Sequence, residues 1–399
     1  MADRSTSGRA SRRRFVQATG VAGILGLAGC AAPIREPIAT SNADGSEQTS
    51  TDGGDETEET EEPNGPANPA ETDYPYTGVP TIVDLNEQGA ETTMRVVPSR
   101  HTLVSEAAGG PLELPEVWAW QADDNDPSVP GPILRVEEGT EFDVHLENTE
   151  DVRPHTFHVH ALKKDWMDDG APASTGIQVG ADESHTYGLT ANVPGTHLYH
   201  CHYQTQNHLD LGMYGIVRVD PVDYELPDKE FFMTVKEWDS RLSNKFAGGN
   251  TEYSHRDRRP DVFTINGRSA PYTFHPEEGS PFVVKEGDRV RIHVTNNGYE
   301  SHSIHLHNHR FEVVEKDGGV IPPAARHEED VTSLAPAERK TIEFTADADP
   351  GIYLVHCHKV HHVMNGENYP GGMLTAIVYE SAMDTPQFAD AMDKAGYEG

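Results

Sequence analysis

The stretch HLYHCHYQTQNHLDLGM, residues 197–213, decides how this sequence is interpreted. Its centre is a cysteine between two histidines, and a further histidine and a methionine follow within the same stretch. A second copy, YLVHCHKVHHVMNGENYPGGM, occupies residues 353–373. Each copy is preceded by a separate histidine cluster, HTFHVH at 155–160 and HSIHLHNH at 302–309. The sequence therefore contains one arrangement of thiol, imidazole and thioether groups twice.

These residue types are ligands of copper. One cysteine, two histidines and a weakly bound axial methionine form the ligand set of a blue-copper centre. Successive side chains of a strand face opposite sides, so a cysteine between two histidines points away from both. His155 lies three residues before His158 and therefore faces the opposite side of the strand. We predict a mononuclear blue-copper site with the ligands His155, Cys201, His208 and Met213.

The second copy predicts a second mononuclear site, with the ligands His302, Cys357, His362 and Met373. Two alternatives stay open here. His361 adjoins His362, although the spacing HCHxxxH favours His362, and Met364 competes with Met373, which aligns with Met213. The remaining histidines face outward, four from each half of the chain: His158, His160, His200 and His202, and then His305, His307, His356 and His358. If the two faces meet, these eight imidazoles can surround a copper cluster.

The composition excludes one class of partner. The chain has 399 residues, of which 66 are acidic and 31 basic, and its net charge is −35. A field of this sign repels a phosphate backbone, so we expect no nucleic-acid partner. Because the acidic residues are spread along the whole chain, we interpret them as a halophilic surface adapted to molar salt, with an acidic site for a cationic partner as the alternative. None of the three cysteines is left for a disulfide, because two lie in the copper motifs and Cys30 lies in an N-terminal signal.

Residues 1–30 resemble a twin-arginine export signal. Arg12, Arg13 and Arg14 precede Phe15, and an apolar run follows over 16–28. That run is too short and too rich in glycine for a permanent membrane span. Residues 27–30, LAGC, resemble a lipobox, which would place a lipid on Cys30; a plain signal peptide is the alternative. We therefore expect an exported, extracytoplasmic lipoprotein that meets the membrane through this lipid anchor only.

The rest of the chain divides into a linker and two similar halves. Residues 31–74 are acidic and polar, which predicts a disordered linker. From about residue 75, short runs of Val, Ile, Phe and Tyr alternate with turn residues, which predicts an all-β fold. The strand–turn–strand unit at 129–148 recurs at 280–298, so the chain is a tandem duplication. We predict domain 1 at 75–222, domain 2 at 223–380, and a short helix and tail at 381–399.

These motifs resemble those of the multicopper oxidases, and specifically the small two-domain laccase-like group. The resemblance covers about residues 75–380 and rests on the series HxH, HxH, HxxHxH and HCHxxxH. It implies two tandem cupredoxin domains, each a Greek-key β-sandwich or barrel. It also implies a ring-shaped homotrimer in which domain 1 of one chain faces domain 2 of the next, a contact that closes by rotation.

The resemblance also implies a division of the copper ligands. His158 and His305 would bind the type 2 copper, and the type 3 pair would be bound by His160, His200, His202, His307, His356 and His358. The two cysteine sites would be type 1 centres, which gives about five copper ions per chain. Two departures from the common pattern are that both domains carry the cysteine, and that His208 follows Cys201 after seven residues instead of five.

The implied activity is that of an oxidase. A small reducing substrate, such as a phenol, an aromatic amine or a metal ion, would give up single electrons at type 1 copper. Dioxygen would be reduced to water at the three-copper cluster. Asp169 in the segment MDDG resembles an acidic residue that supplies protons to the cluster in relatives, although a solvated turn would also explain an Asp at this position.

Two other functions stay open. A copper-containing nitrite reductase would share the spacing of His155 and His160, but it would have an acid in place of His158 and would lack Cys357. A non-enzymatic blue-copper electron carrier would need only the first mononuclear site and would leave eight outward histidines unexplained. A copper count and the response to dioxygen would separate these functions from the oxidase.

Overall fold

Strands dominate the part of the chain that the structure describes. The computed structural model describes residues 80–149 and 151–397. The predicted export signal, Cys30 and the acidic linker lie outside the described residues. Over the described ranges the chain forms 22 strands and four α-helices. The predicted all-β class is therefore confirmed.

Domain 1 contributes the first ten strands. These are β1 Ile82–Asp84, β2 Glu91–Val104, β3 Leu112–Ala122, β4 Ile133–Glu137, β5 Glu141–Asn148, β6 His158–Val159, β7 Lys163–Lys164, β8 Glu183–Thr190, β9 Gly195–His200 and β10 Tyr214–Asp220. They form two five-stranded sheets with the orders β1-β4-β10-β9-β6 and β3-β2-β5-β8-β7. The first sheet ends at Asp220, and the first strand of the second half begins at Lys229, after eight intervening residues.

Domain 2 contributes the remaining twelve strands. These are β11 Lys229–Trp238, β12 Val262–Ile265, β13 Phe282–Val284, β14 Arg289–Asn296, β15 His302–Leu306, β16 Phe311–Lys316, β17 Gly319–Val320, β18 Glu328–Glu329, β19 Val331–Leu334, β20 Arg339–Thr345, β21 Ile352–Cys357 and β22 Leu374–Tyr379. One sheet has the order β13-β22-β21-β15-β19, and the other has the order β12-β11-β14-β20-β16-β17, with β18 paired to β16.

The helices are short and lie between strands, except for the last. The α-helices are α1 Pro172–Thr175, α2 Thr205–His208, α3 Ser240–Phe246 and α4 Pro386–Ala395. Single 3-10 turns occupy Trp166–Asp168, Tyr272–Phe274, Pro323–Ala325, Val360–Val363 and Glu380–Ala382. Helix α4 begins where the Thr385 side chain accepts a hydrogen bond from the backbone of Phe388, and it ends at Gly396, whose φ is 83°. Among the described residues, no helix is both long and apolar enough to cross a membrane.

The strand pairing of domain 1 recurs in domain 2. The series β4-β10-β9-β6 corresponds to β13-β22-β21-β15, and the first pair is parallel in both series while the other two are antiparallel. The series β3-β2-β5-β8 likewise corresponds to β12-β11-β14-β20. The duplication read from the sequence is thus a duplication of topology.

The register of the histidine-bearing strands is the same in both domains. His158 pairs with His200 across β6 and β9, and His305 pairs with His356 across β15 and β21. Strand β9 ends at His200, so Cys201 and the residue after it lie just past the strand, whereas β21 continues through Cys357. The paired histidines share one face of their sheet because directly opposite residues point the same way.

The two domains bury a common interface. Strands β10 and β11 are buried on both faces, as expected for strands covered from both sides. An apolar cluster joins Tyr214 and Val117 of domain 1 to Trp238 and Val262 of domain 2. Within each domain, a separate core contains the motif cysteine and the methionine that follows it. The domains of one chain are therefore held together by apolar packing as well as by the covalent connection between β10 and β11.

Candidate metal centres

The first cysteine site lies inside domain 1. Its Cys201 thiol is 3.2 Å from Nδ1 of His208, which is in turn 3.2 Å from Nδ1 of His155. These three atoms belong to one of the groups of side chains that could hold a metal ion. Met213 is fully buried in the same core, and the backbone N–H of Cys201 donates to its carbonyl at 3.2 Å. The structure thus brings together the three predicted nitrogen and sulfur donors, with the predicted methionine next to the strand end.

Domain 2 contains the corresponding site. The Cys357 thiol is 3.5 Å from Nδ1 of His362 and 3.8 Å from Nδ1 of His302. The two Nδ1 atoms are 3.2 Å apart. Met373 is fully buried, and the backbone of Cys357 donates to its carbonyl at 3.1 Å.

The structure separates the alternatives that the sequence left open in this loop. His362 is fully buried beside the thiol, whereas the ring of His361 is exposed and lies edge-on to His362 at 4.4 Å. Met373 is buried and its backbone N–H donates to the His362 carbonyl at 2.8 Å, while Met364 is only half-buried. The geometry favours His362 and Met373.

Aromatic rings cover both sites. Trp118 lies edge-on to His208 with ring centroids 4.6 Å apart, and Phe246 of helix α3 lies edge-on to the same indole at 5.1 Å. In domain 2, Phe263 stacks on His362 at 4.1 Å. These rings keep water away from the thiols, which are fully buried.

The outward histidines form two groups with similar ring spacings, and in domain 1 the nitrogens of His158, His160 and His200 are close enough together to hold a metal ion. Their Nε2 atoms approach closely, at 3.1 Å between His160 and His200 and at 3.0 Å between His307 and His356. The two histidines that flank each cysteine stack on each other. Their ring centroids are 5.6 Å apart for His200 and His202 and 5.7 Å apart for His356 and His358. His158 and His305 complete the groups, 5.2 Å from His160 and 4.9 Å from His307.

Backbone carbonyls orient these rings. Nδ1 of His158 donates to the Asp169 carbonyl at 2.5 Å, and Nδ1 of His305 donates to the Asp330 carbonyl at 2.7 Å. Nδ1 of His200 donates to the carbonyl of the cysteine that follows it, at 2.9 Å. A ring whose Nδ1 carries the proton offers the lone pair of Nε2 to a metal. The outer groups are therefore oriented for binding through Nε2.

Burial keeps most of these imidazoles neutral. It lowers the pKa of His208 and of His362 to about 3, and it also lowers the pKa of His200 to about 3. His302 differs, because its hydrogen bonds with Cys357 and Glu237 outweigh burial and raise its pKa. Neutral imidazole is the form that binds metals.

Asp169 lies beside the domain 1 outer group. Its carboxylate Oδ1 is 3.6 Å from Nδ1 of His158 and 3.6 Å from the Lys164 ammonium. The predicted proton-supplying residue is thus near a predicted ligand, and its backbone carbonyl fixes that ligand's ring.

The remaining motif histidines have structural partners. His309 donates to or accepts from the Tyr379 hydroxyl at 3.0 Å, and His197 bonds the Val193 carbonyl at 2.7 Å. The sequence interpretation missed Glu237, whose carboxylate accepts a hydrogen bond from Nε2 of His302 at 2.7 Å. No sequence signal could have found it, because the two residues lie 65 positions apart in different strands.

The donor sets fit copper. Each cysteine site offers one thiolate, two imidazole Nδ1 atoms and a neighbouring methionine in a dry pocket, and soft sulfur with imidazole suits copper. Thiol burial without a metal raises the pKa of Cys201 to about 11, so a bound cation would have to displace this proton.

Comparisons with known proteins agree with this assignment. A multicopper oxidase domain model matches residues 119–223, and a second multicopper oxidase domain model matches residues 250–368. Among solved structures, a blue copper oxidase from Nitrosomonas europaea is 27% identical, with a TM-score of 0.63, and the alignment covers 74% of this chain and 88% of that one. The multicopper oxidase mgLAC is 29% identical, with a TM-score of 0.64, and the alignment covers 75% and 88% of the two chains.

The chain is also similar to a curated protein with a different name. A probable nitrite reductase–hydroxylamine oxidoreductase fusion protein of Kuenenia stuttgartiensis is 28% identical over 263 residues, which are 63% of this chain and 28% of that protein. The chain spans less than half the length of the first curated relatives that it matches. The two matched domain models, the solved relatives and the duplicated all-β topology together support one conclusion: the chain is a two-domain member of the multicopper oxidases, with tandem cupredoxin domains.

Proposed function

We propose that this protein is a laccase-like oxidase, which takes single electrons from a small reducing substrate and reduces dioxygen to water. The observation that supports this activity best is the matched pair of outer histidine groups. Each domain presents four imidazoles with the same register and nearly the same ring spacings. A protein that only carried electrons would need the buried cysteine sites and would have no use for these groups.

The proposed ligands follow the predicted division. Type 1 centres are assigned to His155, Cys201, His208 and Met213, and to His302, Cys357, His362 and Met373. The type 2 centre is assigned to His158 and His305, and the type 3 pair to His160, His200, His202, His307, His356 and His358. Copper bound at these positions supplies single-electron transfer at the thiolate sites and four-electron reduction of dioxygen at the cluster.

The chain itself connects the two kinds of site. Cys201 belongs to the buried site, and its sequence neighbours His200 and His202 belong to the outer group. This gives a short covalent path through the backbone between the two sites, and Cys357 has the same position between His356 and His358. Reducing equivalents can thus leave a site that the aromatic rings shield from water.

Asp169 is the proposed proton carrier. Its Oδ1 atom lies 3.6 Å from the ammonium of Lys164 and 3.6 Å from Nδ1 of His158. A proton picked up on Oδ1 from solvent would be held at the edge of the outer group. Reduction of dioxygen to water consumes protons, so a carboxylate at this position has a use.

Assembly is part of the proposal. Among the described residues, no ring contact joins the outer group of domain 1 to that of domain 2, although contacts join the rings within each group. We therefore propose a homotrimer in which the outer group of domain 1 meets the outer group of domain 2 from the next chain. Such a head-to-tail contact closes into a ring.

The proposed location depends on the sequence alone. Export by the twin-arginine pathway and a lipid on Cys30 would place the protein on the outer face of the cell membrane, in contact with extracellular donors. The acidic composition fits a surface that stays soluble in concentrated salt.

The second candidate function is nitrite reduction. The similarity to the probable nitrite reductase–hydroxylamine oxidoreductase fusion protein of Kuenenia stuttgartiensis favours it. The two activities differ in the oxidant that accepts the electrons of the reduced protein, dioxygen or nitrite, and one experiment can compare them.

The test is a single turnover in high salt. Copper-loaded protein is reduced without air, and the blue absorption of the thiolate sites is followed after the addition of either dioxygen or nitrite. We expect rapid recovery of the colour with dioxygen, with water as the product, and a copper content of about five per chain. Rapid recovery of the colour with nitrite but not with dioxygen would contradict the oxidase and identify a nitrite reductase. Slow recovery with both oxidants would identify an electron carrier.

A matched pair of variants locates the chemistry. His158→Ala and His305→Ala each remove one outer imidazole and leave both buried sites intact. Each variant should keep its blue absorption and lose rapid recovery with dioxygen. Surface variant His327→Ala serves as the control, because this exposed histidine pairs only with Glu329 among the described residues.

A further inference from the structure

The two buried cysteine sites differ in the carboxylate behind one histidine. In domain 2, Nε2 of His302 donates to Oε2 of Glu237 at 2.7 Å, and both side chains are fully buried. In domain 1, Nε2 of His155 is 3.4 Å from Oδ2 of Asp151, and this nitrogen has no hydrogen-bond partner within standard geometry among the described residues. The hydrogen bond of domain 2 is therefore short and well formed, and its counterpart in domain 1 is not.

The charge of the two carboxylates is compensated differently as well. Asp151 accepts hydrogen bonds from the Arg153 guanidinium at 2.9 and 3.0 Å. The described partners of the Glu237 carboxylate, apart from His302, are the backbone N–H groups of Tyr299 and Glu300, at 2.5 and 2.9 Å. The ammonium of the adjacent Lys236 instead lies 3.4 Å from Asp210. The Lys236 charge thus acts on Glu237 through space, without an ion-pair contact among the described residues, whereas Asp151 is hydrogen-bonded directly to an arginine.

The fold makes room for this carboxylate. A Cβ atom on Gly298 would lie 1.9 Å from Oε2 of Glu237, so a side chain larger than hydrogen at this position would displace the carboxylate. Strand β11 carries Glu237, and the loop after β14 supplies both backbone donors. The interaction with His302 is therefore part of the backbone architecture of domain 2.

A carboxylate that accepts the second N–H of a metal-bound imidazole raises the basicity of that ligand. It favours the oxidised, more highly charged metal ion over the reduced one. We propose that Glu237 is a positioning residue that holds the redox potential of the domain 2 copper below that of the domain 1 copper. The inference rests on the proposed function of the two cysteine sites as copper centres. Its consequence is that the two centres differ in potential, so that a weak electron donor reduces the domain 1 centre first.

The test uses variants that retain one blue centre each. Cys357→Ser keeps the domain 1 centre, and Cys201→Ser keeps the domain 2 centre. The midpoint potential of each centre is measured by following its blue absorption against an applied potential, without dioxygen. We expect the domain 2 centre to prefer oxidised copper about tenfold more strongly than the domain 1 centre, which is a potential about 59 mV lower for a one-electron couple.

Matched substitutions assign the difference to the carboxylate. Glu237→Gln in the Cys201→Ser background keeps an acceptor for His302 and removes the charge, and it should raise the potential by a similar amount. Asp151→Asn in the Cys357→Ser background should raise the potential by less than half as much. An equal or larger shift for Asp151→Asn, or no shift for Glu237→Gln, would overturn the inference.

A second measurement uses the protein with both carboxylates intact, in case Glu237→Gln fails to fold. In the intact protein, a reductive titration without dioxygen should bleach the band of the domain 1 centre before that of the domain 2 centre. A reversed order, a single transition, or the absence of blue absorption in Cys201→Ser would each contradict the inference. Failure of the oxidase proposal alone, seen as slow recovery with dioxygen, would leave both measurements unaffected.

Discussion

Arg218 of domain 1 and Glu315 of domain 2 form an ion pair across the interface, with 2.8 Å between Nη1 and Oε2. Arg218 is fully buried and also bonds Asp220 at 2.9 Å. Glu315 accepts a further hydrogen bond from the Thr341 hydroxyl at 2.6 Å. A parallel pair joins Arg135 to Glu230 at 2.6 Å, with both side chains fully buried. Charge pairing therefore fixes the orientation of the two domains within one chain.

Removing Arg218 from its pair with Glu315 should lower the stability of the folded protein. Arg218→Met leaves the Glu315 carboxylate buried without its guanidinium, and we expect the free energy of unfolding to fall by about 3–5 kcal/mol. The measurement is denaturant unfolding of the copper-free protein. Arg310→Met is the matched control, since the pair of Arg310 with Glu328 is exposed (59% and 66%) and should contribute at most about 1 kcal/mol. Similar losses for the two variants would contradict the prediction.

Acid should weaken the folded protein over a window set by Glu315. Burial opposes ionisation of this carboxyl, but the charge of Arg218, the interaction with His293 and the hydrogen bonds from Arg218 and Thr341 together outweigh burial and lower the pKa to about 2. Since the folded pKa is depressed below the unfolded value of about 4.3, the stabilisation is present above the unfolded pKa and is lost as the pH falls from about 4.3 to about 2. Unfolding free energies measured through this window should fall less steeply for Glu315→Gln than for the unsubstituted protein. Parallel curves for the two proteins would show that Glu315 is not responsible for the loss of stability in acid.

Mixing subunits should reveal whether the outer groups meet between chains. His158→Ala damages only the domain 1 group and His305→Ala only the domain 2 group. In mixed rings built from equal amounts of the two variants, about one interface in four combines two intact groups. We expect recovery with dioxygen to return to about a quarter of the unsubstituted level after dissociation and reassembly. No return of activity would place both groups of one cluster in a single chain.

The two neighbouring histidines of the domain 2 loop should behave differently. His362 lies beside the Cys357 thiol, while His361 is exposed. In the Cys201→Ser background, His362→Ala should abolish the remaining blue absorption and His361→Ala should leave it nearly unchanged. Copper titrations followed by absorption test both expectations. The opposite result would assign the ligand to His361.

The sequence was sufficient for the fold class and for predicting which of the candidate ligand side chains lie together. Strand periodicity places Cys201 on one face and His200 on the other, and the structure has this arrangement even though β9 ends at His200. Periodicity works here because the pairing with Met213 continues one residue past the strand. The loop ligands were harder, since His361 and His362 differ only in how the 3-10 turn at 360–363 orients them.

Contacts between residues far apart in the sequence could not be predicted from it. Glu237 and Asp151 occupy unrelated positions in the duplicated pattern, so the repeat gave no hint that either carboxylate stands behind a histidine. His293 of β14 is fully buried and bonds Glu230 at 3.0 Å in the interface. Such contacts depend on how two sheets meet, which composition and periodicity do not specify.

The separation of the two outer histidine groups has a consequence for regulation. Under the proposed assembly, a chain released from its ring retains both buried copper centres but has no complete cluster to which it can pass electrons. Dilution would convert the protein from a catalyst into a store of reducing equivalents, and the number of working clusters would rise more steeply than the amount of protein. A tether to the cell surface would then do more than fix the location, because it would raise the local concentration at which rings form.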